Sequence, residues 1–339
     1  MYRRWNPPNR FDPVEIAWEE EPDPPDLEVI DDHGGGALVR NTSPDLGFDW
    51  GLNPYRGCTH ACAYCYARTY HEYLGYGAGI DFERKIVVKH DVADRVRAAL
   101  DAPSWTGELV AMSGVTDCYQ PLERRLRLTR GCLEVLAAYH NPVSIVTRSP
   151  LVVRDADLLQ DLARHGAAAV TVSIPLGDRA IQRRVEPGAP APAARFAAIR
   201  ALSAAGVPVG VSLSPILPGL SEPGIPDVLQ RARDAGAAWV WADLVRLPGA
   251  SAVVFETRLR EALPAKADGV LARIRRMRGG DLDDPRFFHR NRGRDDDPGW
   301  RLVADLVRIW TERLGYGPPW RPEEPSPFRR PTSQLGLFG

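Results

Sequence analysis

From residue 48 to residue 245 the chain repeats one pattern: a short apolar run, then a stretch with helical spacing. The runs fall at residues 48–53, 108–113, 143–147, 168–174, 207–214 and 239–245. Helical patterns lie at 91–101, 123–140, 155–164, 193–205 and 224–235, as where Leu126, Leu133, Leu136 and Ala137 share one face. A short helix rich in tyrosine is expected over 63–74. Nearly continuous apolar strands that alternate with helices run parallel and are covered on their faces. The pattern therefore predicts an α/β fold built on a parallel sheet. No glycine fingerprint for a dinucleotide follows the first strand, which argues against a doubly wound nucleotide-binding sheet.

The loop after the first predicted strand reads Cys58-Thr-His-Ala-Cys62-Ala-Tyr64-Cys65, while the other two cysteines, Cys118 and Cys132, lie far downstream. A buried structural cysteine usually stands alone as a small hydrophobe. Thiols separated by two or three residues can instead converge on one metal centre. A closed zinc site needs a fourth ligand, here His60 or a distant cysteine. A ferredoxin-like cluster would be completed by Cys118 or Cys132. A [4Fe–4S] cluster on three thiolates would leave one iron open to an exogenous ligand. Chance clustering is the remaining alternative.

Composition narrows the setting. The chain has 339 residues, 44% of them hydrophobic, and a formal net charge of −1, which makes no global case for nucleic-acid or membrane binding. The first residues, Met1-Tyr-Arg-Arg, lack the apolar core of a signal peptide, and no run is apolar enough to span a membrane. Five cysteines in a chain of this length read as metal or redox chemistry in a reducing cytoplasm, not as a disulfide frame.

The spacing Cys-x3-Cys-x-aromatic-Cys, with Tyr64 as the aromatic, resembles the radical S-adenosylmethionine (radical SAM) superfamily. The likeness spans residues 47–250 and implies a partial (β/α)6 TIM-type barrel of parallel strands. An irregular, proline-rich and acidic N-terminal arm (1–46) precedes it, and a helical, basic extension with a Pro/Arg-rich tail (251–339) follows. The resemblance implies a radical SAM enzyme with a [4Fe–4S] cluster on Cys58, Cys62 and Cys65, and S-adenosylmethionine (SAM) chelating the fourth iron. Reductive cleavage of SAM would give a 5′-deoxyadenosyl radical that takes hydrogen from a substrate. It implies a one-electron reductant of flavodoxin or ferredoxin type. In such barrels the site lies at the C-terminal ends of the strands. The cofactor contacts implied there are the backbone at Tyr64 for adenine, Thr116 for the SAM amine, Arg148 for its carboxylate and Ser173 for the ribose. Asp117 reads as a turn residue. A radical enzyme acting on a small molecule or protein is an alternative, as is a non-catalytic iron–sulfur or zinc protein that binds a partner.

Residues 53–58 and 116–123, Thr147-Arg-Ser149 and Val185-Glu-Pro-Gly188 together resemble the branch related to spore photoproduct lyase, which repairs a thymine dimer in DNA. The resemblance implies a nucleic-acid substrate. In the lyase a cysteine after strand two returns a hydrogen atom to the product radical. Val115 stands at that place here, which puts the lyase reaction in doubt and leaves Cys118 as the catalytic candidate. Farther on, residues 257–277 read as one long helix with an arginine cluster (Arg273, Arg275, Arg276, Arg278), and 299–314 as a final helix. Residues 286–294 are basic with aromatics interleaved: Arg286, Phe287, Phe288, His289, Arg290, Arg292 and Arg294. Such a loop can grip a nucleic-acid backbone and stack a base. It can equally be a solvated lid that neutralises Asp281, Asp283 and the aspartates at 295–297.

Overall fold

The computed structural model describes residues 6–11, 26–42, 47–283 and 297–331. The basic stretch 286–294 and the proline-rich, acidic segment 12–25 lie outside the described residues. Among those described, seven strands make one sheet. Its six parallel strands are β3 (Trp50–Leu52), β6 (Val110–Met112), β7 (Val143–Thr147), β8 (Ala168–Ser173), β9 (Val209–Ser212) and β10 (Val240–Trp241). They lie in chain order, as the sequence pattern predicted, and β2 (Leu38–Arg40) pairs antiparallel on the outer edge of β3. This is the partial barrel of parallel strands.

The strands form where they do because both of their faces are covered. β6 and β9 are buried at every position. Val170, Val172, Val209 and Val211 pack into the main core together with Leu159, Leu162, Ile199, Leu202 and Leu229, which come from the covering helices. Burying one such aliphatic side chain contributes about 1.5–3 kcal/mol, so a wrong register would be costly. The helices include α1 (Val92–Asp101), α2 (Leu128–Ala138), α3 (Ala156–Ala163), α4 (Arg179–Val185), α5 (Pro192–Ala204) and α6 (Ile225–Asp234).

The structure departs from the sequence reading in four places. The arm is not wholly irregular, since β1 (Glu28–Asp31) pairs parallel with β5 (Lys85–Val88). β5 also pairs antiparallel with β4 (Tyr55–Arg56), which makes a second, three-stranded sheet beside the first. The tyrosine-rich helix at 63–74 is a short 3-10 turn, Tyr66–Arg68, followed by one helical turn, Thr69–Glu72. The helix expected over 123–140 is broken at Arg127, whose φ of 55 separates the turn Glu123–Leu126 from α2. The long helix expected over 257–277 is two, α7 (Ala250–Ala262) and α8 (Pro264–Met277), because Pro264 cannot sit inside a helix and starts the second one. The final helix, α9 (Pro298–Arg313), forms as expected. Among the described residues no helix is long and apolar enough to cross a membrane.

Candidate functional site

The cysteine loop follows β4, beyond the C-terminal end of β3. It enters through Gly57, whose φ is +80 and whose missing Cβ would stand 2.9 Å from the Phe82 carbonyl and 3.0 Å from that of Lys85. Only glycine passes there. Cys58 N then bonds Phe82 O at 2.8 Å. Farther round, Ala61 takes a left-handed φ of 56, a conformation that costs about 1–3 kcal/mol and needs outside support. That support is dense. Arg68, fully buried, donates to the Cys62 carbonyl from Nε and Nη2 at 3.2 and 2.8 Å, and from Nη1 to the Ala78 and Gly79 carbonyls, both at 3.0 Å. The stretch Val185–Gly188 lies flat against the loop: Ala63 N bonds Val185 O at 2.9 Å and Gly188 N bonds His60 O at 3.1 Å. A Cβ on Gly188 would stand 2.2 Å from the Thr59 carbonyl, which explains the glycine in that motif.

The strand ends deliver the rest. After β6, the Thr116 hydroxyl donates to Gly57 O at 2.6 Å and accepts from Gln120 Nε2 at 3.1 Å, so Thr116 braces the entry to the loop. Asp117, beside it, is more than a turn residue. Its buried carboxylate accepts from Tyr119 N at 2.9 Å, as a turn would require, but also from the Thr147 hydroxyl at 2.6 Å and Arg148 N at 3.0 Å. It thereby clamps the end of β7 to the end of β6. The ring of His60 inserts between Cys58 and this carboxylate, with Nδ1 3.4 Å from Asp117 Oδ2, outside the alignment of a hydrogen bond. Burial would raise the Cys58 thiol, but the adjacent His60 outweighs it and takes the thiol below its ordinary value. Burial would likewise lower His60, yet Cys58 and Asp117 bring it up to about 9.

Arg148 leaves the end of β7 and reaches the opposite side of the loop. Its Nη1 lies 2.8 Å from Cys62 Sγ, 2.9 Å from the Tyr64 hydroxyl and 3.1 Å from Glu186 Oε1. Glu186 is fully buried and also bonds Tyr64 Oη, the fully buried Arg195 and, at 3.2 Å, Gln182 Nε2. Burial would raise the Glu186 carboxyl; Arg195 and then Arg148 reverse that and hold it at about 2. Ser173, at the end of β8, donates to the Ser214 carbonyl at 3.2 Å.

The three thiols fit a shared cluster. Cys65 packs both against the apolar cluster that holds Cys62 and against the one that holds Cys58, so the loop keeps the three side chains in one neighbourhood. Among the described residues no three His, Cys, Asp or Glu side chains converge on a single ion. A [4Fe–4S] cluster does not need that convergence, because each thiolate takes a different iron. Two buried hydroxyls at this end of the barrel, Thr59 Oγ1 on the loop and Ser214 Oγ after β9, have no hydrogen-bond partner. Unpaired buried hydroxyls are costly, and a polar ligand that reached either of them would supply the missing partner. Cys118 and Cys132 are elsewhere, both fully buried in the main core, and burial foremost pushes the Cys118 thiol well above its ordinary range. Neither is presented to a substrate. Val115 occupies the turn after β6, with its N bonded to Asn53 Oδ1 at 3.1 Å. Sequence reasoning missed Arg68 and Arg195, and it met Glu186 and Gly188 only as letters of a motif.

The Radical SAM superfamily matches this chain over residues 52–232. An uncharacterized protein of Mycobacterium tuberculosis is 41% identical over 221 residues, which span 65% of this chain and 65% of that protein. Another, from Methanocaldococcus jannaschii, is 31% identical over 169 residues, which span 50% of this chain and 61% of the relative. The chain thus matches less than two thirds of the length of either relative. Among solved structures, a cysteine-to-serine mutant of spore photoproduct lyase superposes with a TM-score of 0.59 at 17% identity, covering 85% of this chain and 79% of the other. A double mutant of that enzyme with bound AdoMet and dinucleoside spore photoproduct gives a TM-score of 0.56 at 18% identity, covering 81% and 78%. At such identities the likeness is one of fold.

Proposed function

The chain belongs to the radical SAM superfamily, whose cofactors are a [4Fe–4S] cluster and SAM, and we propose that Cys58, Cys62 and Cys65 hold that cluster in an enzyme that abstracts hydrogen from nucleic acid. When bound, the two cofactors supply one-electron cleavage of the sulfonium and a 5′-deoxyadenosyl radical that takes a hydrogen atom. The observation that carries the reading is Arg148, a half-buried cation that touches both Cys62 Sγ and Glu186. Its guanidinium holds the SAM carboxylate, and a planar fork suits that partner. Glu186 and Arg195 fix its direction, and Asp117 fixes its backbone. The unpaired Ser214 hydroxyl and Ser173 take the ribose hydroxyls, and the backbone beside Tyr64 takes the adenine. Thr116 keeps the loop entry in place and offers its remaining lone pair to the SAM amine.

The nucleic-acid assignment rests on analogy with the lyase, which binds a dinucleoside photoproduct, and on the basic, aromatic sequence of residues 286–294. The lyase reaction itself is not proposed, because Val115 has no thiol hydrogen to return and Cys118 is sealed in the core. A flavodoxin- or ferredoxin-type protein delivers the electron, in the reducing cytoplasm that five free thiols suit. The test is anaerobic reconstitution, an iron and sulfide count, and 5′-deoxyadenosine formed on reduction with and without DNA or RNA. A loaded cluster that forms no 5′-deoxyadenosine would make this a non-catalytic iron–sulfur protein. 5′-Deoxyadenosine formation that no nucleic acid alters would turn the search to small molecules and proteins.

A further inference from the structure

The cysteine loop and the loop after β6 meet at one side chain, Gln120, which is fully buried. Its amide Nε2 donates to Gly57 O at 3.2 Å and to the Thr116 hydroxyl at 3.1 Å, and its Oε1 accepts from Thr59 N at 3.2 Å. These bonds fix the orientation of the amide, since a flip would set its oxygen against the Gly57 carbonyl and its nitrogen against an N–H. Gly57 and Thr59 are the residues on either side of Cys58. Bonding the carbonyl before a residue and the N–H after it is how a neighbouring strand holds that residue in a parallel ladder. Here a side chain does it, and Cys58 N itself bonds Phe82 O at 2.8 Å. The backbone of Gln120 is paired too: its N bonds Asp117 O at 3.0 Å and its O accepts from Glu123 N at 2.9 Å.

The same amide decides what Thr116 has left to offer. The Thr116 hydroxyl donates its one hydrogen to Gly57 O at 2.6 Å and gives one lone pair to Gln120. A single lone pair remains, and the two bonds together fix its direction. Without Gln120 the hydroxyl would keep one anchor and could turn about it. We propose that Gln120 is a positioning residue that couples the two cofactors. It holds the backbone on both sides of Cys58 for the cluster, and it aims the remaining Thr116 lone pair at the SAM amine. A glutamate of the same length could not replace it, because a carboxyl in either protonation state makes at most two of these bonds. The proposal rests on the assignment of Cys58 to the cluster and of Thr116 to the SAM amine made above.

Equilibrium dialysis of SAM against anaerobically reconstituted protein tests the coupling as a double-mutant cycle. Gln120→Leu and Thr116→Val should each weaken SAM binding about tenfold. The double variant should bind SAM as weakly as Thr116→Val does, because the hydroxyl through which Gln120 acts is already gone. Independent losses, about a hundredfold in the double variant, would overturn the proposal, as would parent-like affinity in a loaded Gln120→Leu variant. The grip on Cys58 is read without any cofactor. In the apo chain the Thr59 amide should exchange about tenfold faster in Gln120→Leu and at the parent rate in Thr116→Val, with the amides of the parallel sheet unchanged in both. An unmoved Thr59 amide in Gln120→Leu would overturn the proposal. Should Gln120→Leu take up no iron, Gln120→Glu decides, since it keeps the length and the acceptor for Thr59 N. A loaded cluster with SAM affinity below the parent then supports the proposal, and parent-like affinity or an empty site overturns it. A parent chain that takes up no iron, or a Thr116→Val variant with parent-like affinity, would remove the cofactor assignment itself and the coupling with it.

Discussion

Replacing Arg148 by alanine tests the cofactor site most directly. In the structure its guanidinium joins Cys62 Sγ at 2.8 Å, Tyr64 Oη at 2.9 Å and Glu186 Oε1 at 3.1 Å, with its side chain 18% exposed. Removing it does not strand Glu186, which keeps Arg195, Gln182 and the Tyr64 hydroxyl. The fold and the cysteine loop should therefore hold, and the iron content should match the parent. What is lost is the charge-assisted contact proposed to the SAM carboxylate, about 1.5–3 kcal/mol where solvent is largely excluded. At about 1.4 kcal/mol per tenfold, SAM should bind about 10- to 150-fold more weakly. Arg148→Lys should recover part of that, since it keeps the charge and loses the fork. The assay is equilibrium dialysis of SAM against anaerobically reconstituted protein. Parent-like affinity in a fully loaded Arg148→Ala variant would take Arg148 out of the SAM site and refute the reasoning.

Three further outcomes are expected. Alanine at any one of Cys58, Cys62 or Cys65 should abolish cluster loading, whereas alanine at Cys118 or Cys132 should leave iron content intact and cost about 1 kcal/mol of stability from the packed core; the measurements are iron per chain and urea midpoints. Glu186 should contribute an acid-sensitive part of stability. Its folded carboxyl is held at about 2, below an ordinary value of about 4.3, so the contribution is complete above the ordinary value and is lost as pH falls toward 2. Urea midpoints against pH should show a shallower acid limb in Glu186→Gln, and identical limbs would remove Glu186 as the source. Nucleic-acid affinity should fall steeply with salt, with a flatter slope when Arg290, Arg292 and Arg294 are changed together to Gln. No binding to DNA or RNA at low salt would refute the substrate assignment.

The parallel strands were legible because burial on both faces writes an uninterrupted apolar run, as in Ala168–Ser173 and Val209–Ser212. The cysteine loop stood out because three thiols within eight residues are hard to ascribe to packing alone. β1 left no such signal: Glu28–Asp31 is mostly exposed and is a strand because β5 pairs with it. The break at Arg127 was equally silent, since arginine is not a residue that announces a left-handed φ. Pro264 did announce its break, and the single long helix read across it ignored that rule. The buried charges were the least legible part of the site. Arg68, Glu83, Arg195 and Arg258 look in sequence like the solvated charges of any helix surface. Only tertiary contact shows that their partners, not water, satisfy them.

The two ends of the barrel divide the work. Residues 317–331 run across the N-terminal ends of the strands rather than standing free as a tail. Gly317 N bonds the Ala238 carbonyl at 2.9 Å, ahead of β10; Ser326 Oγ bonds Gly107 O at 2.7 Å, ahead of β6; Arg329 N bonds Tyr139 O at 2.9 Å, ahead of β7. Arg330 gathers the carbonyls of Leu100, Ala102 and Trp105 from the end of α1 and the turn after it. These contacts satisfy backbone acceptors and fasten a strap by main-chain chemistry that side-chain patterns barely reveal. At the C-terminal ends the opposite holds. There Thr59 and Ser214 keep buried hydroxyls without partners, Ala61 holds a strained turn, and Arg148 stands between a thiol and a carboxylate. The two unpaired hydroxyls keep hydrogen-bonding capacity that no group among the described residues takes up, at the end of the strands where barrels of this kind place their sites.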